Sequence, residues 1–140
     1  AKLGSDTDLK VIDAIFAKME AAHGKRASAD EAELDAAFHM AIVEASHNVI
    51  MLHMMRSMYD LLKQGVFYNR QVMFRNKTTR TVLLDQHRAI NTALQARDPA
   101  AARAAINAHL DFVEMALADQ LKAEKHEVVA RQRYQHEVSR

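Results

Sequence analysis

Cysteine is absent from the sequence, so the chain can form neither a disulfide nor a thiolate metal site. Such an absence fits a reducing compartment, and the cytoplasm is the expected location. Proline occurs once and glycine three times in 140 residues, while alanine, leucine and methionine are plentiful. Few breakers among many helix formers predict an almost wholly helical chain. Charge of one sign is lacking too, since the formal net charge is +1. That balance offers no bulk attraction to nucleic acid or to an anionic membrane. No apolar run approaches the roughly 18 residues a spanning helix needs, and no signal peptide is visible. There is no Gly-rich phosphate loop. What is present is the length of one ordinary domain, sufficient for a core without crosslinks.

Hydrophobic periodicity predicts about six helices in one domain. The first runs from about Asp6 to Ala22, with Leu9, Ile12, Ile15, Phe16 and Met19 on one face and Gly24 as its stop. Ser28-Ala29-Asp30-Glu31 has the form of a capping box and opens a second helix. That helix should break near Ser46-His47-Asn48. A third, from about Val49 to Tyr68, carries Met51, Leu52, Met54, Met55, Met58, Leu61 and Leu62 as a band expected in the core. Residues 69–78 (NRQVMFRNKT) are the least regular and read as a short helix or a loop. The fourth helix spans about Thr79 to Arg97. Asp98-Pro99 then starts a fifth, which reaches at least Lys125 and continues as a solvated tail.

The sequence holds eight histidines. His23, His47, His126 and His136 fall at helix ends or in the polar tail, where solvation is the simplest expectation. His53, beside the methionine band, is expected to be packed or partly exposed. His87 and His109 differ, because each occupies an inward position on its helix stripe. They stand 11 residues to either side of Asp98. In an antiparallel hairpin both imidazoles would lie about 16 Å from the bend, at ~1.5 Å per residue. Buried imidazoles at one level need a hydrogen-bond partner or a metal. Asp35 and His39, spaced i and i+4, point together from the second helix. Asp35, His39, His87 and His109 thus form an N3O set suited to zinc, nickel, iron or copper. The commoner outcome of such a pattern is a set of satisfied core histidines. A rival set is the two Glu-x-x-His pairs, Glu20/His23 and Glu44/His47, which evoke a di-iron carboxylate bundle for an enzyme or storage protein. Both pairs sit at helix ends rather than mid-bundle.

Asp35-x-x-Phe38-His39, Ala45-Ser46-His47-Asn48, His87-Arg88-Ala89-Ile90, Asp98-Pro99-x-x-Ala102 and His109-Leu110, in that order, resemble the FCD domain. This is the C-terminal effector-binding domain of FadR-type GntR transcription regulators. The resemblance covers about Leu9 to Gln120. Around SHNVIMLHMM and HLDFVEMAL it is greatest to members responsive to lactate, glycolate or pyruvate. It implies an all-α antiparallel bundle around one buried divalent metal held by Asp35, His39, His87 and His109. Zinc is the first expectation, with nickel, iron or manganese also compatible. It further implies a small hydroxy- or keto-acid effector at the metal, a homodimer, and no enzymatic activity. DNA binding is expected only through an upstream winged helix-turn-helix domain that has no counterpart in these residues. The first helix of the effector domain, with an arginine it often supplies, also has no counterpart. Arg56 and Arg75 then become the candidates to meet an effector carboxylate.

Overall fold

The computed structural model describes residues 1–25, 28–61, 63–65 and 77–139. Five helices have both ends among them: α1 (Asp6–Lys25), α2 (Ser28–Ala45), α3 (Val49–Ser57), α4 (Lys77–Gln95) and α5 (Pro99–Val138); residues 59–61 and 63–65 are helical as well. No strand occurs among the described residues. Local chemistry explains most of the boundaries. Ser5 caps α1: Asp8 N–H donates to Ser5 Oγ at 3.1 Å, and Ser5 N–H donates back to Asp8 Oδ2 at 2.7 Å. α2 ends where His47 adopts a φ of 53°, and the Asn48 side chain then accepts from Met51 N–H at 3.0 Å to start α3. The α4–α5 corner repeats the device. Arg97 has a φ of 53°, and Asp98 Oδ1 accepts from the amides of Ala100 and Ala101 at 3.0 Å each.

Side-chain register shows that α1 and α4 run antiparallel. Asn91 Nδ2 donates to Asp13 Oδ1 at 2.8 Å, Gln95 Nε2 to the Leu9 carbonyl at 2.9 Å, and Arg88 Nη2 to Glu20 Oε1 at 3.0 Å. Numbers rise along α1 as they fall along α4. The core fills the space between α1, α2 and α4: Leu9, Ile12, Phe16 and Met19 meet Phe38, Ala41 and Ala45, with Ile90 and Leu94 closing the third side. Phe38 is fully buried, and its ring lies 6.3 Å from that of Phe16. α5 covers α4 with Ala102, Ala105 and Ile106, which are only partly buried.

Three expectations are corrected. Gly24 does not stop α1, which continues through it to Lys25; no positive-φ glycine occurs among the described residues. α3 is nine residues long and does not reach Tyr68. Ser57 Oγ donates to the Met54 carbonyl at 2.8 Å, and the Met58 amide is shared between the Met54 and Met55 carbonyls. This competition with the helical pattern closes the helix. The methionine band is not core: Met51, Met54, Met58 and Leu61 are 46–66% exposed, and α3 buries no residue. His53 is exposed with them. Leu62 and residues 66–76 lie outside the described residues, so most of the expectation for 69–78 does too; Lys77 and Thr78 open the long helix α4 rather than forming a short helix or a loop. The tail does remain helical. With 40 residues, α5 is about 60 Å long, twice the length of α4, and its second half runs on exposed past the bundle.

Candidate metal centre

Three helices converge on one point beside Phe38. α2 supplies Asp35 and His39, α4 supplies His87, and α5 supplies His109. The i, i+4 spacing brings His39 Nε2 within 3.3 Å of Asp35 Oδ1. His87 Nε2 lies 3.5 Å from the same oxygen and 3.4 Å from His39 Nε2. The ring of His109 sits 4.5 Å from that of His87 and is nearly parallel to that of His39 at 5.3 Å. One ligand atom from each histidine lies within 4.8 Å of the others. The equal spacing of His87 and His109 about Asp98 is therefore realised as contact between their rings.

Burial is graded. Asp35, His87 and His109 are at most 5% exposed, whereas the His39 side chain is 18% exposed and forms the edge nearest solvent. Phe38 makes the back wall, standing edge-on to His39 at 6.0 Å and to His87 at 5.4 Å. The apolar ring fixes both imidazole planes and shields their back from solvent.

The histidines are held from the outside. His87 Nδ1 donates to the Leu83 carbonyl at 2.7 Å, one turn back on its own helix. His109 Nδ1 lies 3.0 Å from Gln86 Oε1. A proton on each Nδ1 leaves each Nε2 unprotonated, the form that ligates a metal. Three of the four donors also fit by distance. Tetrahedral bonds of roughly 2.0–2.1 Å to nitrogen and oxygen place donors about 3.3–3.4 Å apart, and the separations around Asp35, His39 and His87 are 3.3–3.5 Å.

One turn further along the same face of α2, Glu31 is 3% exposed and forms a salt bridge with Arg80 of α4. Arg80 Nη2 also donates to the His23 carbonyl at 2.9 Å, and His23 Nδ1 stands 3.9 Å from Glu31. Glu31 is thus a buried ion-pair partner tying α2 to α4, beyond any capping role, and His23 is half-buried rather than solvated. The i, i+4, i+8 series Glu31, Asp35, His39 is the pattern that could have revealed it.

Other candidates fall elsewhere. Arg56 is 58% exposed and pairs with Glu44 at 3.2 Å. Arg75 lies outside the described residues. The two Glu-x-x-His pairs do not meet: Glu20 is held by Arg88, His23 faces Glu31, Glu44 is held by Arg56, and His47 bonds Asp8 at 2.9 Å. With four separate partners, they do not build the di-iron site that the sequence left open.

Residues 1–112 match the FCD domain. The chain belongs to the FCD domain family. Its relatives are transcription regulators of the GntR family. One, the Glc operon transcriptional activator of Escherichia coli, is 33% identical over 132 residues, covering 92% of this chain and 52% of its own. A protein assigned as the regulator of an L-lactate dehydrogenase operon in the same organism is 42% identical over 81 residues, 58% of this chain and 31% of its own. The HTH-type transcriptional regulator LutR of Bacillus subtilis is 37% identical over 81 residues, 57% of this chain and 37% of its own. The chain thus spans about half or less of the length of these relatives.

Proposed function

We propose that this FCD domain senses a small carboxylate through one divalent metal held by Asp35, His39, His87 and His109, and so controls DNA binding by an intact regulator. The observation that carries the reading is the convergence of four ligand-type side chains from three helices, with donors of Asp35, His39 and His87 spaced 3.3–3.5 Å apart and one nitrogen of each histidine within 4.8 Å of the others. Zinc is the first candidate for an N3O set; nickel, iron and manganese are compatible. A bound divalent ion would draw a carboxylate oxygen to an additional coordination position. The chain's residues do the rest. Phe38 excludes water from one side, Asp35 contributes the single negative charge, and His39 lies at the edge by which an effector would enter. One carboxylate against a divalent ion leaves net positive charge in a mostly apolar bundle, where attraction for an anion is less screened than in water. The L-lactate in one relative's name has the right chemistry, a hydroxy acid with one carboxylate. The intact protein is proposed to be a cytoplasmic homodimer that touches DNA through another domain.

Metal analysis and melting curves test this reading together. We expect about one divalent ion per chain, lost in a His87→Ala, His109→Ala double variant. Among lactate, glycolate, pyruvate and citrate, at least one should raise the melting temperature, by mass action worth roughly 2.7 kcal/mol at a hundredfold excess over Kd. The rise should vanish with chelator. Full metal content in the double variant would end the metal assignment. Equal stabilisation of the stripped protein would leave the metal without a part in effector binding.

A further inference from the structure

The outer hydrogen bond to His109 comes from an unexpected quarter. α4 supplies the ligand His87, and the residue just before it, Gln86, reaches across to α5 and meets His109 Nδ1 at 3.0 Å. His87 is served by a backbone carbonyl of its own helix. His109 instead depends on a side chain from a different helix, and that side chain is a neutral amide. Gln86 is partly buried and His109 is 3% exposed, so the contact is largely shielded from water.

We infer that Gln86 is a positioning residue for the metal centre: its side-chain oxygen fixes His109 with Nε2 toward the metal, and its neutrality keeps the loaded centre cationic. The inference rests on the metal reading above. Two consequences of the amide separate it from a merely structural contact. The acceptor oxygen orders the imidazole and selects its tautomer, which a hydrocarbon of similar size cannot do. A carboxylate would hold the same proton and strengthen the ligand, yet it would cancel the charge that draws an anion. Gln86 therefore trades metal affinity for anion affinity. A basic side chain here would lose the acceptor as well, so a neutral acceptor is the residue type that serves both needs.

The experiment loads wild type, Gln86→Leu and Gln86→Glu with Co(II) and follows the visible spectrum, using azide as the anion probe. Affinity for Co(II) is measured by chelator competition, and melting of the metal-free proteins controls for folding. Gln86→Leu should bind Co(II) about 10–100-fold more weakly, while the metal-free protein still unfolds cooperatively, at a lower temperature because the buried bond from His109 is lost. Gln86→Glu should bind Co(II) at least as tightly as wild type, while its affinity for azide falls at least tenfold. Should Gln86→Leu match wild type in Co(II) affinity and spectrum, the positioning role is overturned. Should Gln86→Glu take azide as well as wild type, or wild type take none, the charge argument is overturned. If wild type itself binds no Co(II), the metal reading fails instead, which marks the two failures apart.

Discussion

At the scale of single residues, acids and imidazoles serve opposite purposes inside the bundle and at its surface. Inside, Asp35, His39, His87 and His109 crowd against Phe38, which is fully buried. Phe38→Ala should cost about 3–5 kcal/mol, as large aromatic truncations in a core do. The same change should loosen the metal site, because the ring walls two imidazoles. Denaturant melts of metal-free and metal-loaded protein separate these effects; equal losses in both would remove Phe38 from the site. Outside, Asp8 is held below its usual 3.8 first by the Ser5 hydroxyl, then by the Ser5 amide, then by His47. A depressed acid favours the folded state above pH 3.8, and that contribution disappears as pH falls through the lowered value. A carboxyl NMR titration should therefore find the Asp8 midpoint below 3.8. Ser5→Ala should raise it further than His47→Asn, asparagine being tolerant of the left-handed backbone there. The reverse order would mean that the helix cap is not its main support.

At the scale of elements, two corners hold the bundle's geometry, and both turn on a left-handed residue that is not glycine. Arg97 also clamps the start of the chain: Nη1 donates to the Gly4 carbonyl at 2.7 Å and Nη2 pairs with Asp6 at 2.6 Å. Gly4 fits because a Cβ there would come within 3.3 Å of the Ala45 carbonyl oxygen. Arg97→Ala and Arg97→Gly both lose the clamp, but glycine escapes the left-handed penalty of roughly 1–2 kcal/mol. Arg97→Gly should accordingly melt higher than Arg97→Ala, against their ranking as helix formers. A lower melt for glycine would show that the corner relaxes in the variants.

The same corners explain what was legible from sequence. Asp98-Pro99, the polar break at residues 46–48, and the stripes Leu83-His87-Ile90-Leu94 and Leu9-Ile12-Phe16-Met19 are local signals, and the structure realises each. The cluster of Asp35, His39, His87 and His109 was legible because two of its members share a helix turn and two are symmetric about a hairpin. The methionine band misled, since an apolar face does not say whether anything covers it. Gln86 and Arg80 stayed hidden for a related reason. Their partners lie 23 to 49 residues away along the chain, and only the register between helices brings them together.

At the scale of the whole molecule, charge decides what the chain can do unaided. Its net charge is +1, and several of its 19 basic residues are engaged at close range. Arg56, Lys63, Arg80, Arg88 and Arg97 each hold a carboxylate, so a phosphate backbone would have to displace internal ion pairs to recruit them. Affinity for DNA grows with the number of phosphates neutralised, because each contact releases condensed counterions. The long free half of α5 does not change this. It carries acids and bases intermixed, from Asp119 and Lys122 to Glu137, rather than a basic stripe. Sequence reading needs several side chains on base edges as well as phosphate contacts, and this chain is poorly supplied with the second. These 140 residues by themselves should therefore bind duplex DNA no tighter than about 10 μM near 0.15 M salt. Fluorescence anisotropy with a labelled DNA duplex would measure this, with and without loaded metal. Binding below 1 μM, in an assay limit set at roughly a tenth of that bound, would place a DNA-reading surface on the FCD domain itself.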